Sequence, residues 1–223
     1  MARPDSGYMV DRSGTPGRNR RWLPWTGVGA ALGALVWTAI PWLRRATLGT
    51  RPYVGTVFDV GSLGGWLLMA GGLVGFRLAY GDRYGRLGRA SVGTTAVGMS
   101  LVALLYVRSV LAFVRAGLRP VPATGEDPAG LVLTWAFLLG FGLILAGTGG
   151  LGLALRRVDG GLTLTTGLLV LAAVLPAVAV GLRFGAVLPL PVGRLLVGTN
   201  VAFVPLGAAW VALGYRVWEE YRR

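Results

Sequence analysis

The sequence contains no cysteine and no histidine, and all 22 of its basic residues are arginine, so lysine is absent too. Each gap removes a class of chemistry. Without cysteine there is no disulfide, no thiolate nucleophile and no cysteine-ligated zinc or iron–sulfur cluster. Without histidine the usual haem ligand, the commonest metal ligand and the usual general base are gone. That excludes rhomboid-type proteases and acid-phosphatase-like lipid phosphatases. Without lysine there is no Schiff base, which excludes a retinal carrier, and no phosphate-binding P-loop lysine. Charge itself is scarce. Only 14% of residues are charged, against about 25% in an ordinary soluble domain.

What remains is apolar and small. Hydrophobic residues make up 54% of the 223, and glycine alone contributes 37. The composition points to an all-α integral membrane protein. Its arginine-only, glycine- and alanine-rich alphabet suggests a GC-rich, prokaryotic source.

Residues 1–21 are polar, with five arginines, and cannot form an apolar face. They read as a flexible basic tail. Six apolar runs follow, at about 22–43, 57–80, 92–115, 130–155, 162–184 and 193–215. About 20 helical residues cross the hydrocarbon core, so the domain 22–216 is expected to hold six transmembrane helices. A short tail, 217–223, closes the chain. The long polar lead and the span-length first run argue against a signal peptide.

Arginine placement gives the orientation. With the N-terminus inside, 14 arginines fall on the inner side, among them Arg77, Arg83, Arg156, Arg157 and Arg216, and 7 on the outer. Both termini are therefore expected in the cytoplasm of a multi-pass cell-membrane protein. Arg44, Arg45 and Arg51 in the first outer loop run against this bias. Trp22, Trp25, Trp42, Tyr80, Tyr215 and Trp218 sit at span edges, where interfacial anchors belong. The net charge of +13 is spread over short loops, so the expected partner is a bilayer with anionic headgroups rather than nucleic acid.

Small residues recur four apart at Gly29/Gly33, Gly61/Gly65, Gly71/Gly75, Ala146/Gly150 and Gly181/Gly185. Such faces let helix backbones approach closely. They could serve a homo-oligomer or a membrane protein partner; ordinary packing within one bundle is the reading we favour. Spans two, four and six each end in small and apolar residues followed by arginine, at Arg77, Arg156 and Arg216. Three copied hairpins would produce this, and so would the inner-edge arginine bias alone.

One set of polar groups stands out in the outer half of the membrane. Arg108 lies about 7 Å outward of its span centre and Asn200 about 6 Å, with Asp59 and Thr134 at about 12–13 Å, counted at ~1.5 Å per residue. Arg115 lies one heptad beyond Arg108, and Arg183 and Arg194 flank the last outer loop. Arginine suits paired hydrogen bonding to carboxylate or phosphate. These seven residues are the candidate ligand-binding set for an anion or polar headgroup. Two plainer readings compete: an Asp59–Arg108 ion pair, and Arg108 snorkelling outward on its long stem. Pro176 and Pro205 fall near the middle of spans five and six and are expected to kink them.

Catalysis is hard to assemble here. Asp59 is the only carboxylate within or beside a span, and the others, Asp159, Glu219 and Glu220 among them, read as loop or tail residues. No cofactor, metal site or catalytic residue is expected. The leading expectation is a non-enzymatic multispan protein with a structural or accessory role. The alternative is a small permease or channel for an anionic or polar solute, using the outer-half arginine, asparagine and aspartate set.

Overall fold

The computed structural model describes residues 22–47, 54–117, 128–161, 163–184 and 201–222. Among them every regular element is helical: α1 (Leu23–Thr47), α2 (Val54–Tyr80), α3 (Gly85–Arg115), α4 (Pro128–Asp159), α5 (Leu164–Phe184) and α6 (Val204–Arg222), with short 3-10 turns at Gly81–Tyr84 and Val201–Phe203. Five stretches are long and apolar enough to cross a membrane; the fifth combines the second 3-10 turn with α6, as Val201–Arg222. α5 is apolar over Leu164–Ala179, and the side chains of its remaining residues lie outside the described ones. Large apolar side chains project outward, among them Leu104, Val132 and Leu139, each more than 60% exposed. On a soluble protein so much apolar surface would drive aggregation; lipid tails are its natural solvent.

Local chemistry sets the helix ends. Gly85, at φ +62°, turns the chain out of the 3-10 segment into α3, a conformation that a side chain would strain. Gly160, at φ +68°, stops α4 in the same way. Thr163 then caps α5, its Oγ1 accepting from the Thr166 amide at 3.3 Å. Pro205 lies in the first turn of α6 rather than mid-span. There its missing N–H removes no helix bond, so the expected mid-helix kink is replaced by a helix start. α5 runs on through Pro176.

The last span also differs in register. The helix continues to Arg222, where hydropathy placed its end at 215. Val217 is buried and Tyr221 Oη donates to the Gly75 carbonyl at 3.5 Å, so this terminal turn is part of the bundle.

The helices form a closed ring that divides into two triplets. α1 packs between α6 and α2, and α4 packs between α3 and α5; these are the broadest contacts. The α2–α3 and α5–α6 contacts are thinner and form two seams. The grouping differs from three hairpins, because the main partner of α6 is α1 and not α5.

Glycine makes the triplets tight. A Cβ on Gly33 would lie 2.5 Å from the Gly65 carbonyl, and one on Gly98 would lie 2.5 Å from the Gly140 carbonyl. Gly27 and Gly214 face each other in the same way across α1 and α6. Elsewhere a hydroxyl residue fills the space above a glycine: Thr38 opposite Gly207, Thr95 opposite Gly147 and Ser91 opposite Gly150. Each of these hydroxyls donates back to its own helix, as Thr38 does to the Ala34 carbonyl at 2.7 Å. The close approaches of Gly33, Gly65, Gly75 and Gly150 therefore lie inside the bundle, whereas Gly71 meets nothing. The surroundings of Gly181 and Gly185 lie outside the described residues.

Between the triplets the filling is large and aromatic. Trp37 packs on Trp66 with ring centroids 5.0 Å apart, and Phe141 meets Phe203 at 5.5 Å. Further along, Met69, Ile144, Trp210 and Leu213 are fully or almost fully buried. At the far end Phe76 stacks on Tyr84 at 4.9 Å, with Tyr80 beside them.

Candidate functional site

The described members of the outer-half set do not converge. Asp59, half-buried on α2, accepts a 2.7 Å hydrogen bond from Ser109 Oγ on α3. The expected Asp59–Arg108 ion pair is absent among the described residues. Helical phase is the reason: neighbouring positions point about 100° apart at 3.6 residues per turn, so Ser109 faces α2 and Arg108 does not. Arg108 and Arg115 are both exposed. Arg108 stands about 10 Å from the end of α3, which fits outward snorkelling. Thr134 is exposed on α4. Asn200, Arg194 and the side chain of Arg183 lie outside the described residues.

A denser polar cluster sits at the opposite end, where the chain leaves α2, α4 and α6. Arg216 of α6 donates through Nη1 to Asp159 Oδ2 at 2.7 Å and through Nη2 to Oδ1 at 2.8 Å. This two-pronged contact is the strong geometry for guanidinium and carboxylate. Thr163 Oγ1 donates to the same carboxylate at 3.4 Å and lies 2.8 Å from Thr166 Oγ1. Tyr80 Oη donates to the Arg216 carbonyl at 3.5 Å. Beyond it, Arg83 pairs with Glu220 at 3.0 Å, in the open. The cluster thus ties α2, α4, α5 and α6 together.

Two expectations change here. Asp159, read as a loop acid, is a half-buried partner of Arg216. Tyr80, read as an interfacial anchor, is buried, while Trp22, Trp25, Trp42 and Tyr215 are exposed as anchors should be. Trp218 is half-buried beneath the Arg222 guanidinium, 4.5 Å from its ring centroid.

Tyr84, in the 3-10 turn, is buried with its hydroxyl unpartnered. Burial pushes its phenol well above the ordinary range, so it stays neutral. The carboxylate of Asp159 is engaged by a guanidinium and a hydroxyl, which disfavours a role as proton acceptor. Among the described residues no three histidine, cysteine or acidic side chains gather to hold a metal ion. What the arrangement does chemically is hold helix ends in place.

The chain matches no protein-family model, no curated protein and no solved structure.

Proposed function

We propose that this chain is a multipass protein of the cell membrane, with six spans and both termini in the cytoplasm, that acts by packing and association rather than by catalysis. The observation that carries this reading is the filled interior. Aromatic rings close the space between the triplets at Trp37, Trp66, Phe141 and Phe203, and again at Phe76, Tyr80 and Tyr84. The main buried-end charge contact is internal, between Asp159 and Arg216. A structural or accessory role uses such a body as a stable surface for lipid or protein partners, including another copy of itself.

One observation favours a second reading, a permease for a small anionic or polar solute. The bundle divides into two groups of three helices, α6–α1–α2 and α3–α4–α5, with thinner seams between them, and transporters commonly work between two such halves. Flux separates the two. Purified protein in sealed vesicles should pass chloride, phosphate and small carboxylates no faster than protein-free vesicles. A solute whose flux rises with protein density and falls in Trp66→Ala or Trp37→Ala would overturn the first reading in favour of the second.

A further inference from the structure

The thinner seam between α2 and α3 carries a groove of about 350 Å³. Trp66 of α2, 1% exposed, closes one end, and Arg77 of the same helix stands at the other. Eleven residues along α2 separate them, about 16 Å at ~1.5 Å per residue. That is one leaflet's share of the ~30 Å hydrocarbon core. Arg77 lies three residues before the end of α2, so its long stem brings the guanidinium to headgroup level. The α3 wall is built from small residues, Gly93, Ala96 and Ala103, and a Cβ on Gly93 would meet nothing within 4 Å. Ser100 is the one hydroxyl in the lining and is exposed. A helix serine can donate to the carbonyl one turn back, so it asks for no polar ligand.

Arg77 is the one charge in the lining, and it has no hydrogen-bond or ion-pair partner among the described residues. Arg89, one turn before Gly93, is engaged within the chain, which leaves the mouth to Arg77. Asp159 and Glu220, acids at the same end of the bundle, are held by Arg216 and Arg83. The mouth is therefore positive, with no carboxylate in the groove to offset it.

We propose that this groove holds an acyl chain of an anionic phospholipid from the adjacent leaflet, with its phosphate against Arg77. Charge complementarity selects this occupant. A second copy in the same bilayer would meet this one through the same patch on both, which sets Arg77 against Arg77. A phospholipid brings negative charge where the groove is positive and a chain one leaflet long where the groove is apolar. An anionic headgroup is favoured over a zwitterionic one because no acid lines the groove to hold an ammonium. Such a lipid would fill the α2–α3 seam and join the two triplets there. This site rests on the reading of the body as a surface for lipid, and it is independent of the choice between scaffold and permease.

The test is lipid retention by the full-length protein, purified in mild detergent from a membrane of phosphatidylglycerol and phosphatidylethanolamine and read by native mass spectrometry. Wild type should carry one phosphatidylglycerol per chain. Arg77→Gln should retain about fivefold less, the change given by the ~1 kcal/mol that one arginine contributes near an anionic surface. Arg157→Gln removes the same charge at the same end of the bundle, from an exposed position on α4 outside the groove, and should retain lipid as wild type does. Ala96→Phe and Gly93→Leu fill the groove with Arg77 intact and should also lose the lipid. After delipidation, added phosphatidylglycerol should raise the melting temperature of wild type more than that of Arg77→Gln or Ala96→Phe, and inorganic phosphate should do nothing. Equal loss in Arg77→Gln and Arg157→Gln would overturn the proposal, reducing the contact to a general attraction between a basic face and the bilayer. So would unchanged retention in both Ala96→Phe and Gly93→Leu, each folded by size exclusion. Equal stabilisation by phosphatidylethanolamine would remove the charge selection, and stabilisation by inorganic phosphate would give Arg77 to a free anion. A lipid-free dimer that Gly93→Leu dissociates would give the groove to a second copy. The flux result leaves this site untouched, and loss of the site leaves the flux result standing.

Discussion

Arg216 grips both oxygens of Asp159, at 2.7 and 2.8 Å, and so joins α6 in one triplet to the end of α4 in the other. The side chains are 24% and 12% exposed, so solvent screens the contact only in part. Removing one partner leaves the other desolvated. Hydrogen bonds to charged groups contribute about 1.5–3 kcal/mol, and losses of about 2 kcal/mol are expected for Arg216→Ala and for Asp159→Ala. Unfolding in mild detergent measures both. The double variant should lose less than the two singles combined, with a coupling of about 1–2 kcal/mol. Additive losses would mean that the two residues stabilise the bundle independently.

On the α2–α3 seam the prediction concerns which neighbour of Asp59 matters. Ser109→Ala removes the 2.7 Å bond and should cost about 1 kcal/mol. Arg108→Leu removes an exposed side chain one position away, and should change stability by less than about 0.5 kcal/mol. Thermal melting of the two variants side by side decides. A larger loss from Arg108→Leu than from Ser109→Ala would restore an ionic role for Arg108.

These two contacts also show what was legible in the sequence. Spans one, two, four and five lie within about four residues of α1, α2, α4 and α5, because hydropathy averages over a whole helix, whereas α3 begins at Gly85, seven residues before the expected 92, its first two turns carrying Arg86 and Arg89. The sixth helix runs seven residues past the expected end at 215, because Arg216, Glu219 and Glu220 lower the hydropathy of a turn that is nonetheless packed; residues 193–200 lie outside the described residues. Asp59 and α3 were read as neighbours. Choosing Ser109 over Arg108 needed helix phase, and a one-residue error turns the side chain by about 100°. Asp159 and Arg216 are separated by 57 residues and meet only because the ring closes α4 and α5 against α6. Gly160 and Thr163 mark a helix stop and a helix cap, but nothing local to either names Arg216 as the partner.

Glycine should divide sharply into two kinds. Gly33 sits where a Cβ would press on the Gly65 carbonyl at 2.5 Å and on Leu68 Cβ at 2.8 Å. Backbone cannot yield there, so Gly33→Ala should destabilise by about 1–3 kcal/mol, the usual range for overpacking. Gly64 and Gly71 meet nothing within 4 Å. Replacing either by alanine gives up conformational freedom only in the unfolded chain, and each should be neutral or stabilise by up to about 1 kcal/mol. Melting temperatures of the three variants form one experiment. Equal destabilisation by all three would place Gly64 and Gly71 at a contact outside the single chain, as an oligomer would.

The absence of cysteine makes orientation directly measurable, since one introduced thiol is the only thiol. With both termini cytoplasmic, Gly125→Cys lies between α3 and α4 on the outer side. A membrane-impermeant maleimide should label it in intact cells. Ser13→Cys and Arg222→Cys should react only after the membrane is opened. Arg222 is exposed at the end of α6, so poor reactivity there cannot be blamed on burial. The reverse pattern would turn the protein over. It would place the cluster of Arg83, Arg156, Arg157 and Arg216 outside, against the charge bias that orients most membrane helices. Labelling of only one terminus in intact cells would require an odd number of crossings. That would sink the six-span reading while leaving the triplet packing as it stands.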